Sequence, residues 1–496
     1  MSTPKFVPEP LAPPDAAPDR ALGDMPAPEF RRWALETADW IADFIEHAGA
    51  RPVLPSVKPG DVVKALPDKA PERGEDMGVV LIDFERLILP ALTQWNHPGF
   101  MGYFATTASA PGILGEMLTA AVNSNGILWQ TSPALTELEL VVLDWLWQLL
   151  RLPDQCFGMI HDTASTATFH AVVAARESLE DLAIRTRGMS GAPPLILYTS
   201  EQAHSSVEKA AIAAGIGQDN VRKIAVDDQF RMKPEALDAA ISTDLLAQRR
   251  PFCVVATVGT TAATAVDPVP KIAEICRRRR LWLHVDAAYG GVAAIVPEMG
   301  HVLAGCDQAD SLVVNPHKWL FTPLDLSVLY CRRPDILRRA FSLVPDYLSS
   351  TDDPHAVNLM EYGLPLGRRF RALKLWFVLR YFGREGIIAN LREHLRLART
   401  LADAIHNHPD FELLAPVVFS TVCFRFCPTR ISESQLQRLN RALLEKVNAS
   451  GKFLLSHATL NGKLTLRVSI GNLRTTPGHV ERLWELIRNK SRELTL

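Results

Sequence analysis

The stretch 311-SLVVNPHKWL-320 decides how this chain folds around its functional residues. Its apolar run, residues 312–314, is typical of a buried β-strand. Pro316 cannot continue a central strand, so the chain must turn there and Lys318 must lie just past the strand's carboxyl end, where ligands bind in open α/β sheets. Apolar and aromatic neighbours solvate a lysine poorly and favour its nucleophilic amine, although an ordinary surface lysine after a strand would show the same local pattern.

Strand and helix patterns alternate on both sides of this stretch from about residue 156. Such alternation predicts a mostly parallel, seven-stranded α/β sheet with helices on both faces. The expected strands are residues 157–160, 195–200, 221–226, 252–259, 281–287, 311–315 and 327–331.

The flanking regions have different patterns. A helix beginning near Glu29 has one broad apolar face, which predicts packing either on its own chain or on a partner subunit. A later helix is expected to stop before Pro98. Past residue 370 a long helix with a break near residues 383–386 leads into a small α+β region, where Asn461-Gly462 predicts a tight hairpin. The expected divisions are a disordered Pro-rich tail at 1–25, an N-terminal helical segment at 26–109, a large domain at 110–370 and a small domain at 371–496.

Composition excludes several classes of protein. The chain has 496 residues, 47% of them hydrophobic and 22% charged, with a formal net charge of −2. This balance gives no support for a nucleic-acid or membrane-surface partner. The start of the chain lacks the apolar core of a signal peptide, and no apolar run is long enough to span a bilayer. Seven cysteines without metal-ligand spacing predict reduced thiols in a cytoplasmic protein with no metal site.

Polar residues follow four expected strands. These are His204, Thr260 with Thr261, Asp286 and Lys318. Because the carboxyl ends of parallel strands meet at one sheet edge, we expect these side chains to converge. The polar start of the helix after residue 161, which contains Ser165, offers free N–H groups for a phosphate, although ordinary helix capping explains the same residues.

A lysine amine, a carboxylate and a phosphate seat are what pyridoxal phosphate requires. Lysine binds the cofactor as a Schiff base, and an aspartate keeps the pyridine nitrogen protonated so that the ring accepts electrons. A hydrolase triad fits less well, because the chain has no G-x-S-x-G motif.

The quoted motifs resemble those of the group II pyridoxal-phosphate-dependent amino-acid decarboxylases, most closely the aromatic-L-amino-acid (DOPA/tryptophan) decarboxylases. The similarity runs from about Phe30 to the C-terminus. It includes HVDAAYGG around Asp286 and NPHKW around Lys318, which lie 32 residues apart. The matching stretches also include HPGFMGYF, DTASTAT, QAHSSVEKA, ATVGTT, PLGRRFRALKLWF and LRVSIGN.

The resemblance implies a type I aminotransferase-like fold, with 26–109 as a dimerisation segment and 110–370 as the cofactor-binding domain of a homodimer whose active site is shared. It implies that Lys318 carries the cofactor and that Tyr347, with His204, returns a proton to the carbon that loses carbon dioxide. The implied cofactor contacts are Lys318, Asp286, Ala288, His204, Thr261, Ala164, Ser165, Ser311, Asn315 and His317.

The implied reaction is carboxy-lyase chemistry on an aromatic amino acid, namely tryptophan, DOPA, tyrosine or phenylalanine. Asn125 and Ile127, expected from the partner subunit, depart from the pattern of aromatic-specific members. A histidine- or methionine-type substrate, an aldehyde synthase and a non-catalytic homologue therefore stay as alternatives, the last disfavoured by the intact Lys318 and Asp286. The implied substrate residues are Trp95, Tyr103, Phe104, Thr106, Asn125, Ile127 and Gly367.

Overall fold

The fold is organised around a seven-stranded sheet. The computed structural model describes residues 23–343 and 356–494. The strands of this sheet are β1 (Phe157–His161), β2 (Leu195–Ser200), β3 (Val221–Ile224), β4 (Arg250–Thr257), β5 (Trp282–Asp286), β6 (Ser311–Val314) and β7 (Ser327–Cys331). Their order across the sheet is β1-β7-β6-β5-β4-β2-β3, and only β7 runs antiparallel to its neighbours. The mostly parallel sheet predicted from the alternating pattern is confirmed.

Near-continuous apolar sequence explains why these strands lie in the interior. Every residue of β2, β5, β6 and β7 is buried. Strands covered by helices on both faces are expected to be apolar without alternation. One apolar cluster, containing Val254 and Leu312, packs with helix residues such as Leu146. A second, containing Val255 and Val313, packs with Ala171.

Helices connect and cover these strands. They are α1 (Ala27–Glu46), α2 (Asp61–Ala65), α3 (Met77–Asp83), α4 (Ala110–Val122), α5 (Pro133–Leu149), α6 (Ala164–Glu177), α7 (Ile184–Arg187), α8 (Ser206–Ala213), α9 (Pro234–Leu246), α10 (Val269–Arg279), α11 (Pro316–Trp319), α12 (Pro334–Phe341), α13 (Ala372–His406), α14 (Glu433–Ala449) and α15 (Pro477–Arg492). None of the helices in the described ranges is both long and apolar enough to cross a membrane.

The C-terminal region forms a second, antiparallel sheet. Its strands are β8 (Phe411–Leu413), β9 (Thr421–Phe426), β10 (Ser456–Leu460) and β11 (Lys463–Ser469), in the order β10-β11-β9-β8. The predicted hairpin joins β10 to β11, with positive φ at both Asn461 and Gly462, as a two-residue type I′ turn requires. The predicted break in α13 lies at Gly383, whose φ of 58° is not helical. The short strand β8 was not predicted.

The N-terminal region differs from the prediction in one respect. The helix expected to run almost to Pro98 leaves α-helical geometry after Asp83 and ends in a 3₁₀ turn, Leu89–Ala91. Pro90 lacks an N–H and its ring clashes with the preceding turn, so the α-helix cannot continue through it. Of the expected tail at 1–25, only residues 23–25 are described.

Buried neutral histidines predict acid sensitivity. Burial lowers the pKa of His170, His284 and His394 to about 4, from 6.5 in the unfolded chain. A lowered histidine pKa gives stability that is complete above pH 6.5 and lost as the pH falls toward 4. At pH 5 each of these histidines should lower the free energy of unfolding by about 2 kcal/mol relative to pH 8. Denaturant unfolding between pH 8 and 5 measures the loss. His170→Asn should flatten the profile, whereas the same change at exposed His47 should leave it unaltered.

Candidate functional site

The site lies at the carboxyl ends of β4, β5 and β6. Asp286 is the last residue of β5, and Lys318 lies in α11, which begins at Pro316 two residues after β6. Pro316 occupies the first helical position, where a missing N–H costs nothing. The predicted turn and the position of Lys318 beyond the strand are confirmed.

Asp286 lies close enough to Lys318 and His204 to shift the pKa values of both. Burial lowers the pKa of Lys318, while Asp286 raises it and Arg467 lowers it further. Burial also lowers the pKa of His204, with Asp286 acting against that shift and Lys318 adding to it. Both shifts are toward the neutral form, which suits a lysine that must act as a nucleophile.

His204 has a defined tautomer. Its Nδ1 accepts a hydrogen bond from the Ser206 backbone N–H at 3.1 Å and lies 2.8 Å from the Ser206 hydroxyl. An accepting Nδ1 leaves the proton of the neutral ring on Nε2. Asp286 is 6% exposed, and its Oδ1 accepts the Ala288 N–H at 3.1 Å.

The start of α6 has free backbone donors. Thr163 caps the helix by accepting the Thr166 N–H, and Asp162 accepts the Thr163 N–H at 2.7 Å. The N–H groups of Ala164 and Ser165 make no hydrogen bond to the described residues, and Ser165 is exposed. Free N–H groups at a helix start bind phosphate well, so this position fits a phosphorylated cofactor.

Two of the predicted cofactor contacts, Asn315 and His317, have protein partners. Asn315 accepts a hydrogen bond from the Ser327 hydroxyl at 2.6 Å, and His317 Nδ1 accepts the Leu326 N–H at 2.9 Å. Burial lowers the pKa of His317 to about 3, so its ring is neutral. These two residues tie α11 to β7 and thereby fix the orientation of the Lys318 turn.

The cofactor contact predicted for Ser311 stays a prediction, and this residue has protein partners. Ser311 begins β6, at the opposite end of that strand from Lys318. Its hydroxyl accepts hydrogen bonds from Trp282 Nε1 and lies 2.9 Å from His284 Nδ1. The serine therefore satisfies two buried rings in the core. Thr261 does follow β4 and is exposed, while the Thr260 hydroxyl accepts the Ala265 N–H and shapes that turn.

The predicted substrate residues form two groups. In the first, Phe104 lies under the Lys318 amine, which is 5.2 Å from the ring centroid, and Trp95 and Tyr103 pair their rings at 6.2 Å. Thr106, also in this segment, is partly buried.

The second group surrounds Asn125. Its Oδ1 accepts the Arg368 N–H at 2.9 Å, and a side chain on Gly367 would contact it at 3.7 Å. Ile127 is partly buried nearby in sequence. A buried ion pair between Arg368 and Glu139 fixes the backbone next to Asn125 and Gly367. Tyr347 lies outside the described residues.

Arg467 is a site residue that the sequence prediction missed. Its side chain is 3% exposed, and its guanidinium carbon lies 4.5 Å from the centroid of the Phe104 ring that also contacts Lys318. Nε donates to the Ala262 carbonyl at 3.1 Å and Nη1 donates to the Tyr103 carbonyl. Nη2 is buried without a partner, and no described carboxylate pairs with this arginine. A charged residue inside the apolar strand KLTLRVSI was the available signal.

The fold and site can be compared with those of known protein families. The fold and the lysine–aspartate–histidine site suit a pyridoxal-phosphate-dependent enzyme, and the family match identifies a carboxy-lyase. The chain belongs to the family described as "Pyridoxal-dependent decarboxylase conserved domain", which matches residues 59–427. It carries the lysine, carboxylate and phosphate seat that this cofactor needs, and therefore fits it.

Individual relatives match nearly the whole chain. Phenylacetaldehyde synthase from Arabidopsis thaliana is 39% identical over 482 residues, covering 95% of this chain and 98% of that protein. Tryptophan decarboxylase 2 from Oryza sativa subsp. japonica is 38% identical over 480 residues, covering 95% and 96%. The crystal structure of Oryza sativa TDC with PLP and tryptamine superposes with a TM-score of 0.92 at 34% identity, covering 96% and 100%.

Proposed function

We propose that the protein decarboxylates an aromatic L-amino acid to its amine and carbon dioxide. The observation that carries this proposal is the arrangement around Phe104, where the Lys318 amine and the unpaired Arg467 guanidinium lie over one aromatic ring. Lys318 offers a nucleophile, Phe104 an apolar surface, and Arg467 a positive charge that can bind a substrate carboxylate. Relatives named tryptophan decarboxylase and tyrosine decarboxylase support an aromatic substrate.

Each site residue then has a role toward the cofactor and the substrate. Lys318 would hold the cofactor covalently, Asp286 would keep a proton on its pyridine nitrogen, and the Ala164 and Ser165 N–H groups would bind its phosphate. When bound, pyridoxal phosphate supplies the electron sink for the electrons left by carbon dioxide. By the family resemblance, His204 would stack on the cofactor ring, and its Nε2 proton could be donated toward the reacting atoms.

The substrate side chain is expected to contact the two groups of predicted substrate residues, one at Trp95 to Thr106 and one around Asn125. Trp95 and Tyr103 are 39% and 61% exposed in this chain, which leaves two aromatic rings free to contact a ligand. Gly367 beside Asn125 leaves room for a large ring. Asn125 adds a polar amide, which suits a substrate with a ring N–H or hydroxyl group better than an unsubstituted phenyl ring.

A product assay tests the proposed reaction against its alternatives. We expect amine and carbon dioxide in equal amounts from tryptophan, tyrosine, phenylalanine or DOPA, with no hydrogen peroxide. Turnover only of histidine or methionine would contradict the aromatic assignment, and stoichiometric peroxide with ammonia would establish an aldehyde synthase. By the family resemblance, Tyr347→Phe should shift the product toward aldehyde, and unchanged amine output would refute the role of that tyrosine.

We also propose that the protein is a homodimer in a reducing, cytoplasmic setting. Large apolar side chains of α1 and α4 are exposed in the single chain, and burial against a second copy would remove them from water. These are Phe30, Leu35, Leu114, Met117, Leu118 and Val122. Sedimentation at the mass of one 54.8-kDa chain would contradict the dimer.

All seven cysteines are free, as expected where disulfides do not persist.

A further inference from the structure

The segment 95–106, which carries the first group of predicted substrate residues, is held by residues 467–475. The contacts are spread along both stretches and join backbone carbonyls of the first to donors of the second. They are Arg467 to the Tyr103 carbonyl, the Ser469 N–H to the Met101 carbonyl at 2.8 Å, the Asn472 side chain to the His97 and Trp95 carbonyls at 3.0 and 3.3 Å, and the Thr475 hydroxyl to the Pro98 carbonyl at 2.8 Å.

A second set of hydrogen bonds joins this strip, residues 467–475, to the lysine turn, Pro316–Trp319. Trp319, the residue after Lys318, donates from Nε1 to His394 Nδ1 at 3.0 Å. His394 Nε2 lies 3.1 Å from the Asn472 carbonyl. Because Nδ1 accepts, the neutral ring carries its proton on Nε2 and donates it to Asn472. Burial lowers the pKa of His394 to about 4, which keeps this tautomer intact near neutral pH.

Ring stacking packs the lysine turn against Phe104. Trp319 stacks on Tyr289 with centroids 4.9 Å apart, and Tyr289 stacks on Phe104 at 3.8 Å. The Tyr289 hydroxyl lies 2.7 Å from the Ser420 hydroxyl. Packed rings with satisfied polar atoms have few alternative arrangements. A displacement of Trp319 would therefore also move Phe104, the ring beneath the Lys318 amine.

We infer that His394 and Asn472 are positioning residues that fix the Trp95 segment relative to the Lys318 turn. His394 joins the turn to the strip, and the Asn472 amide joins the strip to the backbone of Trp95 and His97. Neither residue contacts the reacting atoms. They act on substrate binding, because they keep the aromatic residues of 95–106 at a fixed distance from the Lys318 amine. This inference rests on the proposed function.

Two substitutions at His394 separate hydrogen bonding from packing. His394→Phe keeps a ring against Trp319 but removes both hydrogen bonds, whereas the amide of His394→Gln can still accept from Trp319 and donate to Asn472. We expect His394→Phe to raise KM for the aromatic amino acid about tenfold, the usual effect of losing a buried hydrogen bond, with kcat changed less than about threefold. His394→Gln should stay within about threefold of wild type. Equal KM values for wild type and His394→Phe, or equal losses in both variants, would overturn the inference.

Asn472→Ala provides an independent test if His394→Phe does not fold. It removes the amide donors to Trp95 and His97 and should raise KM by a similar factor. Asn440→Ala is its matched control, because Asn440 is also fully buried and bonds to the backbone of Phe426 and Leu436 in the small domain. The control should lower thermal stability without changing KM. A KM change in Asn440→Ala equal to that in Asn472→Ala would show a merely structural effect.

Cofactor binding keeps this test separate from the proposed function. Titration of the apoproteins with pyridoxal phosphate, followed by absorbance, should give affinities within about threefold for wild type and all variants, since Lys318 and Asp286 are unchanged. A large loss of cofactor affinity in His394→Phe would contradict a role in substrate fit. If wild type turns over no aromatic amino acid, the proposed function fails, and calorimetric binding of the aromatic amine then decides the positioning role.

Discussion

Lys318→Ala should abolish decarboxylation and covalent attachment of the cofactor together. In the proposed function this amine holds the cofactor, and its surroundings shift it toward the reactive neutral form. Burial lowers its pKa, and Asp286 only partly offsets that shift. We expect kcat to fall at least about a thousandfold, because nucleophilic and proton-transfer contributions are lost at once. Borohydride reduction followed by peptide mass analysis should find the cofactor on the Lys318 peptide of wild type and on no peptide of the variant.

A surface lysine provides the control for this experiment. Lys271 lies on α10 and is exposed, so Lys271→Ala should keep both turnover and the labelled Lys318 peptide. Cofactor retained without a covalent bond in Lys318→Ala would agree with the remaining contacts from Asp286 and the start of α6. Labelling of another lysine, with turnover near wild type, would contradict the assignment of Lys318.

The position of Lys318 was predictable because it depends on short-range rules. An apolar run followed by Pro316 places a strand end and a turn, and a parallel sheet brings the ends of β4, β5 and β6 to one edge. The hairpin at Asn461-Gly462 is a similar case, since positive φ at two adjacent residues demands this residue pair. Such features follow from local chemistry and one topological rule.

The partners of Ser311 and the position of Arg467 depend on contacts between distant parts of the chain. Ser311 belongs to the same strand as the site edge, but side-chain partners on β5 decide that its hydroxyl serves the core. Arg467 lies 149 positions from Lys318 in sequence, and the hydrogen bonds of β11 to Met101 and Tyr103 bring it beside Phe104. Strand order in the small sheet and the path of residues 95–106 are long-range properties that no local pattern encodes.

Arg467→Met should weaken binding of the amino acid far more than binding of the amine. Nη2 is a buried donor without a partner, on a guanidinium that pairs with no described carboxylate. An unpaired buried charge is costly, and a substrate carboxylate would satisfy it with a charge-assisted hydrogen bond. Losing that bond should raise KM about 100-fold. The product amine lacks the carboxylate, so its inhibition constant should change less than about threefold, and competition assays measure both values.

Arg425→Met distinguishes this effect from general damage to the small sheet. Arg425 lies on β9, is 5% exposed and pairs with both Glu412 and Glu433. Removing it strands two carboxylates and should lower thermal stability, while KM for the amino acid stays near the wild-type value. Equal weakening of amino acid and amine in Arg467→Met would instead mean that the guanidinium only supports the Phe104 ring. A selective loss of the amino acid would establish Arg467 as the carboxylate anchor, because amino acid and amine differ only in that group.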